Sequence, residues 1–220
     1  MMLASDSFAI NRERMIQDQL LARGIRDRRV LAAMREIPRH IFVEDALREQ
    51  AYGDFPLPIG CGQTISQPYV VALMTEALQL SGVEKVLEIG AGSGYQTALL
   101  SRLCGRVYTV ERVEMLMNRA RRNFDRLRCH NISSRLDDGS LGWPAEAPFD
   151  RVIVTAAGPK VPEPLLEQLA DPGLLIMPVG GREEQALTVV ELVDGEFAAH
   201  RLAPVRFVDL IGAHGRRRHD

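Results

Sequence analysis

The run Val86-Leu87-Glu88-Ile89-Gly90-Ala91-Gly92-Ser93-Gly94-Tyr95-Gln96-Thr97 constrains this chain more than any other stretch. Val86, Leu87 and Ile89 have the apolar, partly β-branched character of a strand covered on both faces. Gly90, Gly92 and Gly94 break that strand into a tight turn and let the backbone approach a ligand closely. Residues 95–103 then read as a helix whose N-terminal N–H groups and dipole face the turn. A strand, a glycine turn and a helix in that order open a nucleotide-type site in an α/β sheet.

The alternation continues downstream. Residues 106–111, 132–136, 149–156 and 174–179 read as strands, and 113–127 and 161–169 as helices. This order predicts a doubly wound, mostly parallel sheet. Residues 186–193 and 197–202 flank Asp194-Gly195, a hairpin-turn pair, so an antiparallel hairpin is expected at the C-terminal end. Upstream, 11–22 reads as an amphipathic helix stopped by Gly24. Asp27 can cap a second helix carrying Val30, Leu31, Met34 and Ile37 up to Pro38, and a short helical piece covers 44–50. Residues 51–68 form a long Gly- and Pro-rich connection of the kind that often carries function, and 68–80 reads as a helix. The expectation is a single domain over 1–220, with N-terminal helices and a loop in 1–68 and the ligand-binding core and hairpin in 69–220. The tail 216–220 is expected to be solvated.

The glycine spacing indicates the ligand. A dinucleotide turn, G-x-G-x-x-G/A, needs a small residue where this chain has Tyr95. G-x-G-x-G suits S-adenosylmethionine better, which makes the sheet a Rossmann-like one of the class I methyltransferase kind. Gly90, Ala91, Gly92 and Gly94 would line the turn, and Glu88 could offer a carboxylate to the cationic end of the ligand. Glu111 follows Gly90 by 21 residues, where an acid accepts both ribose hydroxyls. Asp138 could accept the adenine amino group and Gly139 admit the ring, with Asp137 as an alternative acceptor or the pair as a plain turn.

The acceptor side is less determined. Gln63, Thr64 and Ser66 cluster before a helix N-terminus, which suits a carboxylate, although capping that helix is an equally good role for Ser66. The formal net charge of −2 leaves no excess of cations, so no nucleic-acid partner is expected. Cys61, Cys104 and Cys129 are odd in number and lack ligand spacing, and His40, His130, His200, His214 and His219 are scattered, so no metal is expected. The cysteines suit a reducing, cytoplasmic setting. No run approaches the roughly 18 apolar residues of a membrane span, and residues 1–6 do not begin a leader, so no membrane partner is expected.

Several blocks together resemble the protein-L-isoaspartate O-methyltransferase family. They are Gly24-Ile25-Arg26-Asp27 with Ile37-Pro38-Arg39-His40-Ile41-Phe42-Val43, the stretch 52–68 with Gly62-Gln63-Thr64-Ile65-Ser66-Gln67-Pro68, the stretch 86–97 with Glu111, and Val154-Thr155-Ala156-Ala157 with Leu175-Ile176-Met177-Pro178. The resemblance implies methyl transfer from S-adenosylmethionine to the free α-carboxyl of L-isoaspartyl residues in damaged proteins and peptides, by a monomer. It implies catalysis at Ser66, with Thr64 and Ile65 in the same loop over the cofactor. Where the family often reads Val-Pro-Leu in a substrate-enclosing segment, this chain has Val208-Asp209-Leu210. A methyltransferase for another carboxylate, or a cofactor-binding protein without activity, are the alternatives.

Overall fold

The computed structural model describes residues 4–217, so the expectations for the extreme N-terminus and for residues 218–220 lie outside the described residues. Helix α1 (Ala4–Arg14) runs on through a π-helical turn, Met15–Leu20, and a 3₁₀ turn, Leu21–Arg23. The helix expected at 11–22 is therefore the second half of a longer one. Gly24, left-handed at φ 96°, ends it. Asp27 caps α2 (Arg28–Glu36) by accepting from the backbone N–H groups of Arg29 at 2.7 Å and Val30 at 3.2 Å.

The stretch 51–68 is more ordered than its composition suggests. It folds as an antiparallel hairpin of β1 (Leu57–Gly60) and β2 (Gln63–Ile65). Cys61 and Gly62, at φ 54° and 69°, make the turn with the doubly positive φ of tight hairpins. The strands are short, and the proline on either side of Leu57 disguises them. Helix α3 (Pro68–Ala77) follows, with its proline in the first turn.

The rest of the chain builds one seven-stranded sheet. In chain order come β3 (Lys85–Ile89), α4 (Tyr95–Leu100), β4 (Arg106–Glu111), α5 (Glu114–Arg126), β5 (Ile132–Leu136), β6 (Phe149–Val154), α6 (Glu163–Glu167), β7 (Leu169–Gly180), β8 (Gln185–Val193) and β9 (Glu196–Val205). The spatial order is β5-β4-β3-β6-β7-β8-β9. The strands from β5 to β7 are parallel, and β8 and β9 add the expected antiparallel hairpin. Strand β7 starts five residues earlier than expected, because Asp171-Pro172-Gly173 reads as a turn but sits inside the strand at a register irregularity.

Alternation along β3 sends Val86 and Glu88 to one face and Leu87 and Ile89 to the other. Val86, Val107, Ile153 and Ile176 pack with the N-terminal helices and α4. Leu87, Ile89, Val110, Val152, Val154, Leu175 and Met177 pack with Phe149 and Leu165 on the opposite face. The strand order reverses between β3 and β6. An open α/β sheet forms its ligand crevice at that switch point, outside the carboxyl ends of the strands.

The tail departs from expectation. Arg216 is not solvated: its side chain is 16% exposed, pairs with Asp209 at 2.9 Å, and donates to the Gly180 carbonyl at 2.9 Å. It anchors the C-terminal segment against the end of β7.

Candidate active site

At the carboxyl end of β3, Gly90 donates its N–H to the Val110 carbonyl at 2.8 Å and turns the chain with φ 95°. Any Cβ there would collide with the Thr155 hydroxyl, so glycine is required by both conformation and space. Gly94, at φ 88°, starts α4. Across the switch point Thr155 follows the last residue of β6, and its hydroxyl donates to the Gly90 carbonyl at 2.7 Å.

Glu111 comes to this turn from the end of β4. One carboxylate oxygen accepts from the Gly92 N–H at 2.9 Å, the other from the Val113 N–H at 2.9 Å. A carboxylate has about four acceptor sites, so capacity for two further donors remains. Glu111 lines a cavity with Gly90, Gly92 and Gly139, walled by Ile89, Val110, Val113, Leu210 and Ile211. A Cβ on Gly139 would stand 2.5 Å from the Ile89 Cγ2, so only glycine leaves the slot open. An apolar slot beside an acid with free acceptor capacity fits an adenine and its ribose.

One expected contact is not met. Glu88 does not line the cavity: it is fully buried on the α4 face of β3. Its Oε2 accepts from the hydroxyls of Thr97 at 2.5 Å and Thr109 at 2.6 Å, while Oε1 has no partner among the described residues. Burial pushes its carboxyl up to about 7, against the pull of the two hydroxyls. The last residue but one of a strand points across the sheet rather than out of its end, which removes Glu88 from the ligand.

Asp138 also has other work. Its Oδ1 accepts from the Ser140 N–H at 2.9 Å and hydroxyl at 2.7 Å, and its Oδ2 from the Ala213 N–H at 2.7 Å. Burial would raise this carboxyl, but the Ala213 and Ser140 donors outweigh it and hold the group below its ordinary value. Asp138 thus ties down the segment that presents Leu210 and Ile211, and about one of its four acceptor sites stays open to an adenine amino group. Asp137 accepts from the Asp138 N–H at 2.8 Å and pairs with Arg135.

Two further recesses adjoin the cavity. One contains Ile65, Ser66, Ala91, Gly92 and Tyr95. The other is a groove lined by Pro56, Ser66, Gln67, Val70 and residues 204–208. Thr64 and Thr155 border all three spaces, and Ser66 borders the latter two. Ser66 does not cap α3: Gln67 holds that position and no side chain caps it. Among the described residues the Ser66 hydroxyl makes no hydrogen bond, so it is uncommitted within the fold.

Thr155 was not foreseen as a site element, while the segment at 208–210, expected to enclose the substrate, also walls the donor cavity. Thr155 could have been found from its place at the end of the strand beside the switch point. The Asp209 departure is accommodated. The Ala157 N–H donates to the Val208 carbonyl and the Leu210 N–H to the Ala157 carbonyl, both at 2.8 Å, so the pairing does not use the Asp209 N–H. A proline, which lacks that group, and an aspartate fit the same path. Among the described residues no three His, Cys, Asp or Glu side chains gather as a metal site.

A doubly wound sheet with this slot at its switch point, and an acceptor groove meeting it at one threonine pair, defines an S-adenosylmethionine-dependent methyltransferase. The model of the protein-L-isoaspartate(D-aspartate) O-methyltransferase family matches residues 11–215, and the chain belongs to that family. Protein-L-isoaspartate O-methyltransferase of Desulfotalea psychrophila is 54% identical over 210 residues, covering 96% of this chain and 98% of its own. A Syntrophobacter fumaroxidans relative of the same name is 55% identical over 209 residues, covering 95% and 98%. Among solved structures, a protein-L-isoaspartate O-methyltransferase superposes with TM-score 0.84 at 30% identity, over 93% of this chain and 67% of its own. A Plasmodium falciparum structure described as a β-aspartate methyltransferase in complex with S-adenosyl-L-homocysteine gives 0.79 at 26% identity, over 93% and 98%.

Proposed function

We propose that Ser66 seats the acceptor carboxylate, while Thr64 and Ile65 of the same loop, the turn at 90–94, Glu111, Asp138 and Gly139 seat S-adenosylmethionine. The chain transfers a methyl group to the free α-carboxyl of L-isoaspartyl residues in damaged proteins. The ester then closes to a succinimide without the enzyme, and hydrolysis returns part of it to aspartyl. The observation that carries the site assignment is the uncommitted Ser66 hydroxyl between the acceptor groove and the recess beside the glycine turn.

S-adenosylmethionine supplies an activated methyl group on a sulfonium. The acceptor has an ordinary pKa of about 4 and is an anion at neutral pH, so the protein need not remove a proton. Its residues bind, orient and exclude water. Such orientation contributes on the order of 7–11 kcal/mol to a transfer between two bound partners. Ser66 positions one carboxylate oxygen by donating its O–H, and is not itself a nucleophile. A much stronger donor there would stabilise the ground state and slow transfer.

In this reading residues 1–220 work as a single methyltransferase domain, 1–68 bringing the acceptor side and 69–220 the donor side. A core continuous from Met15 to Val189 supports that unity. The protein acts as a cytoplasmic monomer without nucleic-acid or membrane partners. The net charge of −2 supports the former exclusion. Among the described residues no helix is long and apolar enough to cross a membrane. The test uses labelled S-adenosylmethionine with matched peptides carrying isoaspartyl or aspartyl at one position. Base-labile label on the isoaspartyl peptide alone is expected; label on neither would require a different acceptor.

A further inference from the structure

Arg39, in the 3₁₀ turn Arg39–Phe42 after α2, is fully buried. Its Nε donates to the Ala51 carbonyl at 2.7 Å and its Nη2 to the Ser66 carbonyl at 2.6 Å. Its guanidinium carbon lies 5.0 Å from the centre of the Tyr95 ring, and Nη1 has no partner among the described residues. Among the described residues no carboxylate pairs with it, and the phenols of Tyr95 and Tyr52 nearby are neutral at ordinary pH, because burial raises both. Burial lowers it only to about 10, so it remains a cation at neutral pH.

A buried charge without a counter-ion is costly and uncommon. The position of this one is informative. Its two acceptors are the first and last residues of the stretch 51–66, which contains the β1–β2 hairpin and Thr64-Ile65-Ser66. One planar group therefore fixes both ends of the acceptor loop. The residue under its face, Tyr95, begins α4 and lines the same recess as Ser66. Arg39 thus touches the acceptor loop and the helix that follows the donor turn.

We propose that Arg39 is a positioning residue for methyl transfer: it sets the Ser66 backbone through the two carbonyls, and its unneutralised charge draws the acceptor carboxylate to Ser66. This rests on Ser66 being the acceptor contact. The missing counter-charge arrives with the substrate.

The test compares wild type, Arg39→Met and Arg39→Lys in steady-state kinetics with an isoaspartyl peptide, in titration with S-adenosylhomocysteine, and in melting. Arg39→Met should raise peptide KM by about ten-fold or more and lower kcat, while S-adenosylhomocysteine affinity stays within about three-fold. Arg39→Lys keeps the charge but cannot hold two carbonyls in one plane. It should return peptide KM to within about three-fold of wild type and leave kcat depressed. Peptide KM unchanged in a folded Arg39→Met protein overturns the proposal. So does an equal loss of peptide and S-adenosylhomocysteine affinity in both variants, which is the mark of a merely structural cation. If Arg39→Met does not fold, Arg39→Lys decides: near-normal KM with lowered kcat supports positioning, and any other pattern overturns it. Wild type assayed on isoaspartyl and aspartyl peptides in parallel separates the two failures, since an error in the assigned activity shows there and an error about Arg39 only in the variants.

Discussion

Replacing Glu88 with glutamine tests the reassignment of that residue from ligand contact to buried support. The carboxyl is fully buried and raised to about 7 from an ordinary 4.5. Between those values the native state holds a proton that the unfolded chain has released. Native binding exceeds unfolded binding, so stability falls as pH rises through this window and levels off above about 7. From about pH 5.5 to about pH 8.5 the loss attributable to this one group is about 2 kcal/mol. Glutamine cannot titrate and removes that slope. Its amide nitrogen would take the place of the unpartnered Oε1, which adds a pH-independent cost of about 1–3 kcal/mol. The change in offset between the proteins with pH, not the offset itself, reads the buried carboxyl.

Urea unfolding of both proteins across that range measures it. The Glu88→Gln protein should gain about 2 kcal/mol on wild type from acid to alkaline conditions, or about 4–8 °C in Tm for a chain of this size. Parallel stability curves would refute the burial argument. A second readout separates support from binding: S-adenosylhomocysteine affinity of the variant should stay within about three-fold of wild type. A loss beyond about ten-fold in a stably folded variant would return Glu88 to the ligand.

Other substitutions address the remaining assignments. Ser66→Ala should lower kcat on an isoaspartyl peptide by about ten-fold or more with S-adenosylhomocysteine affinity and Tm unchanged, since the hydroxyl caps no helix; full activity would end the positioning role. Gly139→Val should fill the slot against Ile89 and weaken S-adenosylhomocysteine binding by at least about ten-fold, measured by calorimetry; unaltered binding would place adenine elsewhere. Asp138→Ala should free the Ala213 N–H and release the Ser140 hydroxyl that accepts from His214, and destabilise the protein by about 1–3 kcal/mol near neutral pH. Because the Asp138 carboxyl is lowered in the fold, its contribution is present above its ordinary 3.8 and lost as pH falls below it, so the two proteins should converge in acid; a constant difference would speak against it.

What the sequence revealed depended on how local each cause is. The turn at 90–94 was legible because strand, glycines and helix are contiguous and the φ values demand glycine. Glu111 was legible because it ends the neighbouring strand, and parallel pairing of β3 with β4 brings it to the turn. Glu88 was misplaced because its environment is not local: the hydroxyls that hold it come from Thr97 on α4 and Thr109 on β4. Half of the Asp138 arrangement, its bonds to Ser140, is an ordinary local turn, while the half that ties it to the C-terminal segment comes from Ala213, 75 residues away. Arg39 stands in sequence only as part of the block 37–43, and packing alone shows it to be fully buried.

These cases separate the two jobs of the site. Donor recognition needs an open slot and one well-held acid, which strand ends at a switch point supply in many chains. Acceptor recognition needs a carboxylate seat fixed relative to that slot. The β1–β2 hairpin has short strands and a separate two-stranded sheet, so its own hydrogen bonds cannot hold it against the large sheet. The bonds that do so come from outside it: Arg39 at both ends of the stretch, Gln19, which donates to the Tyr52 carbonyl at 2.8 Å, and Arg119 of α5, which donates to the Ile59 carbonyl at 3.1 Å. Each reaches a backbone carbonyl. A seat built on the Ser66 hydroxyl therefore needs these outside donors as well, because they hold the loop backbone in register with the donor turn.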